Sequence, residues 1–191
     1  MSLDIEKIIN DCKNNIAESQ RKLFYHYYER MAKIVMRYCP DQEDAKEVLN
    51  DGFYSVFSNI KTFKGDSQFK TWMTTIFIRE SLKKIKINKR IPSKIGESID
   101  ENVSNWKAEN EDVIDKIEAK ELMLLIDNLP ELERTVFNLH FLDGYKHKEI
   151  AGLCGFSEGT SRWYLNMAKN RIKTNFNNNN YIANKENEIT K

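Results

Sequence analysis

The side chains best placed for chemistry lie between Lys146 and Lys173. Glu158, Thr160, Ser161, Arg162 and Tyr164 cluster at the start of an apolar-periodic segment that carries Leu165, Ala168 and Ile172. Just before it, Gly155 stands where a tight turn needs a left-handed backbone, Phe156 is an apolar turn residue and Ser157 is a helix cap. Ile150, Ala151 and Leu153 mark a shorter helix upstream. Two helices joined by such a turn make a helix-turn-helix over 146–172, whose second helix offers its N-terminal side chains to base edges in the major groove. On that reading Thr160, Ser161, Arg162 and Tyr164 face bases, Arg171 and Lys173 are placed for phosphates, and Glu158 and Lys169 complete the DNA-binding set of the helix and its flank. The competing reading is a plain helical hairpin with a polar face. Trp163 and Tyr164 fit either surface or core.

Other chemistries find less support. Cys12, Cys39 and Cys154 form no CxxC pair, and His26, His140 and His147 form no HExxH. We therefore expect no metal, no cofactor and no catalytic residues, and three reduced, mostly buried thiols. No paired carboxylate or Cys/His constellation supports an enzyme or a small-molecule substrate.

Charge is unevenly distributed although the formal net value is +1. Residues 61–94 hold ten Lys/Arg against two acids, and 134–174 hold seven against three. Between them, 97–121 hold nine acids against three lysines; a further acidic block, 41–51, holds five against one. Two basic blocks imply two surfaces for an anion, unless they are only solvated faces.

The elements that position these groups read as helix throughout. Ile5 to Ile16 gives a short amphipathic lead helix. Leu23 to Tyr38 gives a second, ended near Pro40. In the third, Ala45, Val48, Leu49, Gly52, Phe53, Val56, Phe57 and Ile60 share one face, with Asp41 as N-cap. A polar turn at Lys64-Gly65-Asp66-Ser67 precedes a fourth helix carrying Phe69, Trp72, Met73, Ile76, Phe77 and Leu82. Periodicity fades over 91–117, an acidic linker too long for a loop inside one compact domain. Leu122, Leu125, Ile126 and Leu129 begin a second module, closed by Pro130. Leu132, Val136, Leu139 and Phe141 form its next face, and Asp143-Gly144 a turn. After Thr174 the Asn-rich tail, 175–191, is expected to be disordered. The expected architecture is all-α: a helical domain over 1–90, a flexible acidic linker over 91–117 and a helix-turn-helix domain over 118–174. With no apolar run of membrane-spanning length and no signal-peptide pattern, a cytoplasmic protein without direct membrane insertion is expected.

The segment Asp143-Gly-Tyr-Lys-His-Lys-Glu-Ile-Ala-Gly-Leu-Cys-Gly-Phe-Ser-Glu-Gly-Thr-Ser-Arg162, preceded by Leu129-Pro130-Glu131-Leu132-Glu133-Arg134, resembles region 4 of extracytoplasmic-function sigma factors. Tyr38, the run Asp44 to Phe53, Phe63-Lys64-Gly65 and Phe69-Lys70-Thr71-Trp72-Met73 resemble their region 2. The resemblance spans roughly 12–174, with both modules in order. It implies a sigma subunit that brings core RNA polymerase to promoter DNA, with the polymerase doing the chemistry. Asp44, Glu47, Asn50 and Asp51 would then meet the clamp helices of the polymerase. Phe63, Lys64, Asp66, Ser67, Lys70, Thr75, Arg79, Lys83 and Lys84 would open and hold the −10 element, where charge grips the backbone and a pocket or aromatic holds a base. Region 4 would read the −35 element. For Phe69 and Trp72 a place in the core competes with a DNA contact, and for Trp72 the core is preferred. The resemblance also implies a membrane-linked anti-sigma partner covering both DNA surfaces. Departures occur at Arg79, where many members have Asn, at Lys83, where they often have Asp, and at Trp163, Tyr164 and Met167, where small or basic residues are common. The alternative is a stand-alone helix-turn-helix regulator that binds duplex DNA without polymerase.

Overall fold

The computed structural model describes residues 4–88 and 118–189. The chain divides into two compact units, Met1–Ile91 and Pro92–Lys191. Among the described residues every regular element is helical.

The first unit holds α1 (Ile5–Lys13), α2 (Ala17–Tyr38), α3 (Gln42–Asn59) and α4 (Phe69–Asn88). Asp4 caps α1 by accepting from the Lys7 amide at 3.0 Å. The lead helix stops at Lys13, earlier than the expected Ile16, because Asn15 turns the chain with φ +59°. Asn tolerates that left-handed conformation better than most side chains. In α2, Leu23, Tyr27, Met31, Val35 and Tyr38 are buried at helical spacing. Asp41 caps α3 as expected, its carboxylate accepting from the Glu43 and Asp44 amides, both at 3.0 Å. The buried face of α3 packs on Phe69, Met73, Phe77, Ile78 and Leu82 of α4. Gly52 permits this close approach: a Cβ there would lie 2.3 Å from the fully buried Phe77 ring.

The second unit holds α5 (Ala119–Asp127), α6 (Glu131–Phe137), α7 (His147–Cys154) and α8 (Glu158–Ile189). Leu125, Ile126, Leu129, Val136, Phe137, Leu139, Ile150, Leu165, Ala168 and Ile172 make its core. Between α6 and α7 the backbone widens into a π-turn, Asn138–Leu142, with the Asp143 amide donating to the Asn138 carbonyl at 3.0 Å. Widening from four to five residues per bond rotates the following side chains. Phe137, just before the turn, is buried, whereas Phe141, expected on the inner face, stands 45% exposed. The last helix also runs on to Ile189, where the Asn-rich composition predicts disorder. No Gly or Pro after Gly159 interrupts it, so poor-propensity asparagines extend a helix already nucleated by packed residues.

Candidate nucleic-acid interface

The helix-turn-helix forms where the spacing places it. Glu149 accepts from the Lys146 amide at 2.8 Å and fixes the start of α7. Gly155 ends that helix with φ +78°, its amide donating to the Ala151 carbonyl at 2.8 Å. Ser157 caps α8, its hydroxyl accepting from the Thr160 amide at 3.0 Å. Leu165, Ala168 and Ile172 point inward as expected.

At about 100° per residue, burying that apolar stripe decides which polar side chains of α8 stay outside. Thr160, Ser161 and Tyr164, expected to face bases, are instead buried. They flank the stripe on its inner side. Thr160 shares a 2.8 Å hydrogen bond with Ser157, and Ser161 one of 2.9 Å with His147 Nδ1. Burial raises the Tyr164 hydroxyl's pKa, with nearby Glu133 adding to the effect. Glu158 and Arg162 remain exposed and form an ion pair one helical turn apart. Trp163, Asn166, Lys169, Asn170 and Lys173 are half-buried at the edge of this outer face. The Lys169 ammonium lies 5.1 Å from the centre of the Phe141 ring, which explains one use of that exposed aromatic.

Arg171 departs from its expected phosphate role. Its guanidinium reaches back to α6 and donates two hydrogen bonds to Glu133, at 3.0 and 3.1 Å. Glu133 has a side chain only 8% exposed, so this pair is structural.

Behind the helix-turn-helix, the His147 ring stacks on His140 with centroids 4.7 Å apart. Desolvation, then the positive potential of His140, Arg162 and Lys169, pushes the His147 pKa down to about 4, against a raising effect of Glu158. This histidine is neutral at pH 7.

In the first unit, Lys64, Asp66 and Ser67 are exposed on the turn between α3 and α4, where Gly65 takes φ +86°. Phe63 is half-buried, its ring 5.2 Å from Phe69 and 5.4 Å from Trp72. The Lys13 ammonium donates to the Phe63 carbonyl at 2.9 Å, tying α1 to this turn. Phe69 is buried, whereas Trp72, expected in the core, is half-buried over the same cluster. Lys70 and Thr75 are half-buried, and Thr75 donates its hydroxyl to the Thr71 carbonyl. Arg79 is exposed. Lys61, which motif matching overlooked, is exposed beside the turn and was detectable only as part of the basic block.

Lys84 does not extend this basic surface, whereas Lys83 remains exposed. Lys83 pairs with Glu80 at 2.8 Å, and Glu80 also accepts from the Ser55 hydroxyl at 3.0 Å. Lys84 crosses to α3 and sits between Asp44 at 3.0 Å and Glu47 at 2.5 Å. Thus two residues expected at polymerase hold one expected at DNA. The remaining two, Asn50 and Asp51, are exposed on α3. The neighbouring Tyr54, absent from the expected set, is 75% exposed.

A capped helix-turn-helix in one helical unit, and an aromatic turn with exposed cations in the other, define a two-part nucleic-acid-binding protein. Residues 23–91 match the family described as "Sigma-70 region 2", and residues 119–172 match "Sigma-70, region 4". The ECF RNA polymerase sigma-E factor of Escherichia coli (strain K12) is 28% identical over 158 residues, covering 78% of this chain and 82% of that one. The protein of the same description from Haemophilus influenzae (strain ATCC 51907 / DSM 11121 / KW20 / Rd) is 26% identical over 165 residues, covering 79% and 84%. Among solved structures, the sigma factor RpoE in complex with the anti-sigma factor NepR from Bartonella quintana aligns with TM-score 0.48 and 16% identity, over 81% of this chain and 94% of that chain. The chain belongs to the extracytoplasmic-function sigma factors of the sigma-70 family. Its function is that of a sigma factor in promoter-specific transcription, and the stand-alone regulator is not favoured. No helix among the described residues is long and apolar enough to cross a membrane.

Proposed function

We propose that the outer face of α3, carrying Asp44, Glu47, Asn50 and Asp51, docks on the clamp helices of core RNA polymerase. The turn over Phe63 to Ser67, with Lys61, Lys70 and Arg79, grips the −10 strand. Phe63 and Trp72 offer stacking faces, and the cations hold the backbone. The outer face of α8 reads the −35 duplex through Arg162 and Asn166. Arg pairs naturally with guanine and Asn with adenine, and Trp163 beside them suits a thymine methyl. Lys169 and Lys173 lie further along the same face, near the backbone. Thr160, Ser161, Tyr164 and Arg171 hold the helix rather than touch DNA. The observation that carries this assignment is the burial of the Thr160, Ser161 and Tyr164 side chains, which leaves Arg162 at the outward centre of the helix start.

The protein adds no catalytic group, acts in the cytoplasm, and is held in check by an anti-sigma partner that covers both DNA surfaces. Core polymerase mixed with this chain and a genomic template pool is expected to start transcripts at a defined set of promoters. Arg162→Ala lowers promoter binding and spares core binding, whereas Asp51→Lys does the reverse. Absence of promoter-specific transcripts overturns the proposal, and loss of both activities in Arg162→Ala gives that residue a structural role instead.

A further inference from the structure

The cation of Lys84 lies in the acidic surface rather than on the basic one. It belongs to α4, next to Lys83 and five residues after exposed Arg79, yet its side chain is only 16% exposed and its ammonium is bound by two carboxylates of α3. Both contacts raise its pKa, so the charge is present at any pH at which the protein works. Glu43 is similarly occupied, by Lys46 at 2.8 Å. Asp51 makes no ion pair among the described residues. The acidic face of α3 is therefore partly neutralised from within, and α4 lacks one cation that its sequence provides.

We propose that Lys84 is an exchangeable internal counter-ion: a basic group of the polymerase displaces it from Asp44 and Glu47, and the released ammonium then contacts a promoter phosphate. This rests on the assignment of Asp44 and Glu47 to the polymerase surface. The physical case is a partner exchange at nearly constant charge. Glu47 is 59% exposed and Asp44 34%, so an incoming cation reaches both without opening the core. Each carboxylate exchanges one ammonium partner for another. The freed lysine stands on a long flexible stem within a basic run, Lys83-Lys84-Ile85-Lys86, where a phosphate attracts it. The protein alone then grips DNA with one cation fewer than the holoenzyme does, which makes firm promoter binding conditional on polymerase.

The test is Lys84→Gln in the full chain, with Lys84→Arg as the conservative control and thermal unfolding to verify the fold. Removing the internal competitor is expected to tighten core binding about two- to fivefold at low salt, the range of one partly exposed ion pair. In the holoenzyme, promoter affinity falls and the slope of log affinity against log salt decreases by about one contact. DNA binding by the protein alone stays unchanged, and Lys84→Arg behaves as the unsubstituted protein. Weaker core binding by Lys84→Gln overturns the proposal, because Lys84 would then serve to position the two carboxylates. Tighter core binding with an unchanged holoenzyme salt slope overturns the transfer to phosphate. Asp51→Lys separates the two layers: if it leaves core binding intact the α3 assignment itself fails, and if it weakens binding while Lys84→Gln has no effect only the exchange fails.

Discussion

Arg171→Ala is expected to destabilise the second unit strongly while leaving the phosphate contribution to DNA binding almost unchanged. The guanidinium donates to both oxygens of Glu133, at 3.0 and 3.1 Å, across 38 residues of sequence. Glu133 is 8% exposed, so the variant strands a carboxylate away from water. Breaking a fully buried pair costs about 3–5 kcal/mol. Arg171 itself is 42% exposed, and water entering the vacated space lowers the cost to about 1–3 kcal/mol. For a unit of this size each kcal/mol moves the midpoint by about 4–8 °C, giving a fall of roughly 5–20 °C. Native-state hydrogen exchange of the full chain separates α6–α8 amides from those of the first unit. The paired variant Arg171→Met with Glu133→Leu removes the stranded charge and is expected to recover most of the loss. The reasoning is refuted if Arg171→Ala keeps full protection of these amides and instead reduces the salt slope of promoter binding by about one, as a phosphate contact would.

Two other outcomes follow from packing and titration. Gly52→Ala gains about 1 kcal/mol of helix propensity, but its Cβ would come within 2.3 Å of the enclosed Phe77 ring. Overpacking of about 1–3 kcal/mol outweighs the gain, so a net loss in urea unfolding is expected, and a net stabilisation would show that α3 and α4 can separate freely. His147 has a folded-state pKa of about 4, below the ordinary value of 6.5. The unfolded chain therefore binds the extra proton between these values, and stability falls as pH drops from about 6.5 towards 4. His147→Gln should flatten that part of the profile for the second unit; an unchanged profile would place the titration elsewhere.

Much of the fold was legible because local rules sufficed. Asp41 and Ser157 announce helix starts through their capping oxygens, Gly155 announces the left-handed turn, and the apolar stripes of α2, α3 and α8 match the observed core. The site was less legible. Polar type alone cannot say whether Ser161 meets a base or His147, and nothing local to Arg171 points to Glu133. The π-turn that exposes Phe141 likewise lies beyond the reach of regular periodicity.

Helical class, the place of the helix-turn-helix and the alternation of basic and acidic blocks were already contained in residue order, since each depends on neighbours within a few turns. Which charges remain available to a partner was not. That was settled when α4 brought Lys84 against Asp44 and Glu47, and α8 brought Arg171 against Glu133. Charge acts through space, so only chain folding determines which cations are consumed internally and which are left for DNA.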